Sequence, residues 1–155
     1  MTVAKIVDVK PNPEGEKLFI ETLDDGSGTP RTIQSGLRMY LKEEDLLGKH
    51  VVIASNLAPR TMRGVESRGM LLAGDYKECD KDCVEVLDVS WAAPGTKVVL
   101  EGADPNTAKK AEITGDEFFA VQIAAKDGVV QIAGKKLLAD GKEIKTVKAL
   151  NSEIG

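Results

Sequence analysis

The chain has 155 residues, of which 42% are hydrophobic and 30% are charged, and this balance is typical of a folded protein. No apolar run is long enough to span a membrane and no signal-peptide segment follows Met1, so we expect a cytoplasmic protein without membrane contact. The net charge of −4 hides an uneven distribution, because residues 31–77 carry eight basic and five acidic side chains between two acidic flanks. A local basic surface permits nucleic-acid binding, although a charged segment is more often a solvated face.

Short strands separated by turns are predicted for the first hundred residues. In chain order they cover 3–10, 18–23, 31–37, 50–56, 67–74, 83–89 and 97–100. Residues 43–47 begin with acids and are followed by Gly48, a pattern that predicts one or two helical turns. Several short strands with one short helix favour a small closed β-barrel over a sandwich or an α/β sheet.

A second unit is predicted after the barrel, which we assign to residues 1–102. Residues 103–155 contain three strand-like segments, at 117–125, 129–134 and 143–150. A unit of about fifty residues buries little apolar surface by itself, so we expect this C-terminal β module to dock on the barrel.

The segment RTMRGVESRGMLL, residues 60–72, has the most informative composition of the chain. Three arginines, two glycines and two methionines surround one Glu-Ser step. Arginine donates to phosphate in a fork and stacks on bases, glycine lets a backbone approach a ligand, and methionine offers a soft apolar contact. The alternative interpretation is a plain hairpin with solvated arginines and with Met62 and Met70 in the core.

Four segments in the same order resemble the tRNA-binding domain appended to some methionyl- and tyrosyl-tRNA synthetases and found in the endothelial-monocyte-activating-polypeptide-II-like proteins. They are PNPEGEKLFIETLD, TIQSGL, LLGKHVVIASNL and RTMRGVESRGMLLA. The resemblance implies an all-β OB-fold, a five-stranded barrel with one short helix. The tail resembles the extra C-terminal module of the polypeptide-II-like branch, which implies that it imitates a dimer partner and that the protein is a monomer. The chain departs from the family at Asn12, where His is frequent, and in its overall acidity.

The same resemblance implies which residues face RNA. These are Ser35, Asn56, Arg60, Arg63, Ser67, Arg68 and Met70, to which Arg38 and Lys42 are added by charge and proximity. Gly64, Gly69 and Met62 are interpreted as residues that maintain the fold, and Glu66 as a residue that orients its neighbouring arginines.

Three interpretations of the function of this sequence compete. The first is tRNA binding through shape and backbone, with little sequence specificity, in support of an aminoacyl-tRNA synthetase in cis or in trans. The second is protein docking in a synthetase complex with residual RNA binding. The third, catalysis, lacks a phosphate loop, a nucleophile elbow and a metal cluster, so we expect no enzyme activity, cofactor or metal. His50 is interpreted as structural, and Cys79 and Cys83 as loop thiols.

Overall fold

The computed structural model describes residues 1–78, 80–102 and 114–154. In this part of the chain only two short segments are helical and the regular structure is otherwise β, so the all-β prediction is confirmed. The strands are β1 Thr2–Asn12, β2 Gly15–Asp24, β3 Arg31–Ser35, β4 His50–Ile53, β5 Arg60–Met62, β6 Val65–Ser67, β7 Ala73–Glu78, β8 Lys81–Val86, β9 Val98–Leu100, β10 Ile123–Lys126, β11 Val129–Ile132, β12 Lys135–Ala139, β13 Lys142–Glu143 and β14 Ser152–Glu153. The helices are α1 Glu43–Leu46 and α2 Gly115–Ala120.

The first sheet curls into a barrel. Its strands lie in the order β3-β2-β1-β4, and all three pairings are antiparallel. Residues 68–72 bring the two edges together, because the Arg68 amide donates to the Thr32 carbonyl (2.8 Å) and the Ala54 amide donates to the Met70 carbonyl (2.9 Å). A segment without regular pairing of its own thus closes the barrel.

Strand β4 and the start of strand β1 are buried on both faces. Ala4 and Ile53 point into the barrel, whereas their neighbours Val3 and Val52 point the opposite way, and all are almost fully buried. The outward pair packs against the second sheet, in one apolar cluster with Leu137 and others. A continuous apolar run such as that of β4 is therefore explained by a second layer on its outer face.

The second sheet has the order β13-β12-β11-β10-β14, and β9 adds to it by pairing with β12. Strand β9 precedes the predicted boundary at residue 102, so the barrel part of the chain supplies a strand to the C-terminal sheet. The Trp91 indole donates to the Ala139 carbonyl at 2.8 Å across the junction. The expected docking of a C-terminal β module is confirmed.

The start of the C-terminal module was predicted wrongly. We expected one strand over 117–125, but α2 occupies its first part and β10 only the end. Thr114 and Glu117 form a capping box, in which the Glu117 amide donates to the Thr114 hydroxyl (3.2 Å) and the Thr114 amide donates to the Glu117 carboxylate (3.3 Å). This Thr-x-x-Glu start outweighs the strand preference of the apolar residues behind it.

Two other strand predictions need correction. The single strand expected at 67–74 is interrupted after Ser67 and resumes at Ala73, because Gly69 adopts a φ of +134° between them. The strand expected at 143–150 covers only Lys142–Glu143, whereas β12 was not predicted at all. None of the helices in the described residues is long and apolar enough to cross a membrane.

Candidate nucleic-acid interface

Strands β5 and β6 form a hairpin that stands on the barrel and carries the arginines of the 60–68 segment. Arg60 pairs with Ser67, and Met62 pairs with Val65. The two-residue turn between them has positive φ at both positions, +48° at Arg63 and +80° at Gly64, as in type I′ turns. Arginine is unusual at such a position, which favours glycine, asparagine or aspartate.

A buried amide attaches the hairpin turn to the barrel. The Nε2 of Gln34 donates to the carbonyls of Met62 (2.7 Å) and Val65 (2.8 Å), while its Oε1 accepts from the Nδ2 of Asn12 (2.9 Å). Both amide side chains are almost fully buried. The backbone amide of Gln34 also donates to the Ser67 hydroxyl at 2.9 Å, so one residue of β3 fixes both strands of the hairpin.

The base of the hairpin is held by Arg31. Its Nη1 donates to the carbonyls of Arg68 (2.6 Å) and Ser55 (3.1 Å), and its Nε pairs with Asp25 at 2.8 Å. Partial burial opposes ionisation of Asp25, but hydrogen bonds from Ser27 and Arg31 outweigh it and hold the pKa of Asp25 below its ordinary value. Arg31 thus shapes the surface instead of offering its charge to a ligand.

The arginines that the hairpin presents are all exposed. Arg68 pairs with Glu66 at 2.6 Å, as expected for an orienting carboxylate, and its side chain remains 65% exposed. A surface pair of this kind contributes little to stability and is exchanged readily for a phosphate. The guanidinium groups of Arg60 and Arg63 make no hydrogen bond or ion pair with any residue that the structure describes. Three guanidinium groups on one hairpin therefore remain available to a polyanion.

Asn56 lies on the same side of the molecule as the hairpin base. It is half-buried and lines, with Arg68, Leu57 and Pro59, a cavity of about 310 Å³ beside the β2–β3 loop. Its position agrees with a role in contacting RNA, which stays a prediction.

Three of the other predicted RNA-facing residues are engaged within the protein. Ser67 is 3% exposed, accepts from the Gln34 amide and donates to the Gly69 carbonyl at 3.3 Å. Met70 is half-buried against the core, and the hydroxyl of Ser35 donates to the carboxyl of Glu21. These contacts favour a structural role for the three, which holds the arginines in place.

Different structural constraints favour glycine at the two glycine positions of the hairpin region. At Gly69 an added Cβ would lie 2.9 Å from the Ala54 carbonyl oxygen, a distance at which the backbone would have to move. At Gly64 there is open space, and only the positive φ of the turn favours glycine. Both observations agree with fold maintenance, as does the half-buried position of Met62.

Arg38 and Lys42 lie further along the chain, between β3 and α1. Arg38 is exposed, and its Nη1 approaches the carbonyls of Gly15 (3.3 Å) and Asn12 (3.5 Å) at the β1–β2 turn. Asn12 connects this turn to Gln34, so Arg38 belongs to the same end of the barrel as the hairpin turn. Lys42 is exposed directly before α1 and shares a groove with Arg38.

Glu21 is a buried carboxyl that the sequence did not single out. It lies on β2 with 0% exposure, and its Oε2 has no hydrogen-bond partner among the described residues. Burial raises the pKa of Glu21 to about 8, against the opposing effect of the Ser35 hydrogen bond. The group is therefore largely protonated at neutral pH, and an acid of this kind serves as a neutral hydrogen-bonding group in the barrel.

The histidine and the cysteines form no reactive site in the described residues. The Nδ1 of His50 donates to the Ala92 carbonyl at 2.7 Å, in agreement with a structural role. Cys83 lies in β8 and not in a loop, which corrects the prediction, and Cys79 is outside the described residues. Within those residues no group of three or more His, Cys, Asp or Glu side chains is arranged to hold a metal.

A small curled antiparallel barrel is the architecture of OB-type oligonucleotide-binding proteins, and in this chain a basic hairpin lies beside the third strand. The family model described as "Putative tRNA binding domain" matches residues 1–97. The chain belongs to this tRNA-binding domain family.

Similar proteins include parts of two aminoacyl-tRNA synthetases. The chain is 51% identical over its full length to the methionine–tRNA ligase of Treponema denticola, of which the match covers 21%. Two thirds of the chain (66%) is 42% identical to the cytoplasmic tyrosine–tRNA ligase of Xenopus laevis, of which the match covers 19%. The chain thus spans about a fifth of the length of the curated relatives it matches.

Among solved structures, the C-terminal domain of Plasmodium vivax p43 superimposes with a TM-score of 0.89 at 28% identity, covering 99% of this chain and 94% of that domain. A methionyl-tRNA-synthetase-related protein from Pyrococcus horikoshii aligns with a TM-score of 0.51 at 29% identity, over 60% of this chain and 83% of that protein. The p43 domain therefore shares both the barrel and the C-terminal sheet.

Proposed function

We propose that the basic hairpin binds tRNA through its sugar-phosphate backbone and its shape, with little preference for sequence. In this way the domain supports an aminoacyl-tRNA synthetase, in cis where it forms part of a synthetase chain or in trans where it does not. The place of action is the cytoplasm, and the domain itself is not catalytic. Arg60, Arg63 and Arg68 carry the contacts, with Asn56, Arg38 and Lys42 at the margins.

The observation that carries this proposal is the state of the three hairpin arginines. Their guanidinium groups are exposed, while the backbone beneath them is fixed by Gln34 at the turn and by Arg31 at the base. A backbone that is already fixed does not have to be ordered when a phosphate binds, so the entropic cost of binding is limited to the side chains. Clusters of this kind bind nucleic acid electrostatically and show a steep salt dependence.

Low sequence preference follows from the shape of the hairpin. Its strands have three residues each, and its exposed polar tips are mainly long cationic side chains. Such groups contact phosphates more readily than base edges, and the major groove of an RNA duplex is too narrow for side chains to read. We therefore expect different tRNAs to compete with similar strength, and duplex DNA to compete poorly.

Charge reversal at the hairpin tests the proposal. We expect the Arg63→Glu, Arg68→Glu double variant to bind whole tRNA at least tenfold more weakly, because two phosphate contacts become repulsive. The slope of log affinity against log salt should fall by about 0.7–0.9 for each contact removed. Binding is measured by fluorescence anisotropy over a salt titration, and the thermal midpoint should hardly change.

The matched control is the Lys126→Glu, Lys135→Glu double variant, since both lysines are exposed on the C-terminal sheet. It changes the net charge by the same amount and should keep nearly all the affinity. A folded hairpin variant that binds as well as wild type would contradict the proposal and favour a protein-docking role. Equal losses in both variants would mean that only net charge matters.

A further inference from the structure

The turn of the hairpin holds Arg63 in a backbone conformation that arginine adopts rarely. Its φ is +48°, and non-glycine residues in this region are uncommon because the Cβ crowds the backbone. Conformations of this kind persist where the surrounding structure imposes them, and they concentrate at functional sites.

Both carbonyls that flank the turn accept hydrogen bonds from one side-chain nitrogen. The Nε2 of Gln34 donates its two protons to the oxygens of Met62 and Val65, at 2.7 and 2.8 Å. These two residues are the closing pair of the hairpin, with Arg63 and Gly64 between them. The carboxamide of Gln34 thus spans the turn from below and fixes the distance between its two ends.

The orientation of the Gln34 amide is itself determined by Asn12. The backbone amide of Glu14 donates to the Oδ1 of Asn12 at 2.9 Å, so the amino group of Asn12 faces the other way. That amino group donates to the Oε1 of Gln34 at 2.9 Å, which leaves the amino group of Gln34 directed at the hairpin carbonyls. Asn12 and Gln34 are 1% and 4% exposed, so water competes little with this relay.

We propose that Gln34 is a positioning residue for nucleic-acid binding, which presents the Arg63 guanidinium by fixing the strained turn, and that Asn12 sets the direction of its amide. This inference rests on the proposed function, because it assigns Gln34 an effect on tRNA affinity that acts through Arg63. A turn that is held before binding does not have to be ordered during binding.

The test is a double-mutant cycle with whole tRNA. Gln34→Met keeps the length of the side chain and removes both donors, and we expect a three- to tenfold loss of affinity, about the effect of ordering one or two side chains. The same change in an Arg63→Ala background should have almost no further effect. In an Arg68→Ala background, the matched control, the loss should be as large as in wild type.

A readout without tRNA accompanies the cycle. Amide hydrogen exchange at Met62 and Val65, the closing pair of the hairpin, should accelerate in Gln34→Met, while exchange in β1 and β4 stays slow. Where Gln34→Met does not fold, Asn12→Ala provides the same cycle, since it leaves the Gln34 donors present but removes the group that directs them.

The outcomes separate this inference from the function on which it rests. Unchanged affinity in folded Gln34→Met, or an equal loss with and without Arg63, would overturn the positioning role and leave the hairpin site intact. Wild-type affinity in Arg63→Ala would overturn the assignment of Arg63 to the RNA site, and the positioning role with it.

Discussion

At the scale of the single residue, folding places the ionisable side chain of Glu21 in the interior of the barrel. It moves from water, where its carboxyl ionises near 4.5, to a fully buried position on β2, where its pKa is about 8. Between these two values the folded protein binds more protons than the unfolded chain. Stability must therefore fall as the pH rises through this window, and it must be constant with respect to this group below and above it.

The Glu21→Gln variant tests this directly, because glutamine has nearly the same shape and never ionises. We expect the two proteins to have similar free energies of unfolding near pH 4.5. As the pH rises to about 8, the free energy of unfolding of the variant should increase relative to that of wild type, by at most about 1.4 kcal/mol per pH unit. Urea unfolding of both proteins between pH 4.5 and 9 measures the difference. A difference that does not vary with pH would show that Glu21 is ionised throughout.

The sequence alone predicted the exposed arginines of the hairpin but not the residues that hold the hairpin on the barrel. Arg60, Arg63 and Arg68 were identified from composition and resemblance, since a group of arginines beside glycines is visible in the chain itself. Gln34 and Arg31 were not, because the residues that they bond in and beside the hairpin, Met62, Val65 and Arg68, lie 28 to 37 positions away and only the fold brings them together. The sequence does not distinguish a buried glutamine in a strand from an exposed one.

At the scale of the element, the segment at 147–149 depends on one carboxylate of the barrel hairpin β7–β8. The amides of Val147, Lys148 and Ala149 each donate to Glu85 at 2.8 Å. Partial burial raises the pKa of Glu85, but the three amide bonds outweigh it and hold the pKa below its usual value. Their stabilisation is present above the ordinary pKa and is lost as the pH falls through the lowered one.

We expect Glu85→Ala to lower the free energy of unfolding by about 1–3 kcal/mol, because three backbone donors lose a charged acceptor. Hydrogen exchange at 147–149 should accelerate more than exchange in β10–β12. Glu78→Ala, an exposed change on the same hairpin, is the control and should have little effect. Equal exchange rates at 147–149 in the two variants would mean that water replaces the Glu85 carboxylate as hydrogen-bond acceptor without loss of stability in this segment.

Elements were predicted well where one local signal dominated. The short helix after residue 42, closed by Gly48, was confirmed at Glu43–Leu46. The prediction of a single strand over 117–125 was wrong. The apolar residues of this segment favour a strand, but the capping box at Thr114 starts a helix. The second sheet was only partly predicted, since its strands of two to five residues carry too few residues for an alternating pattern.

At the scale of the whole molecule, the C-terminal sheet covers the outer face of β1 and β4. Val3 and Val52 are fully buried in the cluster that joins the two sheets, and β9 of the barrel part pairs with β12. A second copy of the barrel would be the natural alternative cover for such a face. We propose, as the resemblance implies, that the module imitates a dimer partner on this face and leaves the full chain monomeric.

Removing residues 103–155 tests that proposal. We expect the truncated barrel to dimerise or to lose solubility, because an apolar face of both strands becomes exposed, and to bind tRNA less well. The full chain should remain a monomer at micromolar concentration. Light scattering distinguishes the cases, and a well-behaved monomeric barrel, or a stable dimer of the full chain, would contradict the imitation of a partner.

The closure of the barrel also has a consequence for synthesis on the ribosome. Thr2 bridges to Lys97, and the Val3 amide donates to the Thr96 carbonyl at 2.8 Å, so the first strand completes its hydrogen bonds only with residues almost a hundred positions later. At translation rates of about 5–20 residues per second, β1 waits roughly 5–20 s for this partner. During that interval the start of β1, where Val3 and Ala4 are fully buried in the folded protein, lacks these partners. The order of elements in this chain therefore means that the barrel completes the hydrogen bonds of its first strand only after residues 96 and 97 have been synthesised.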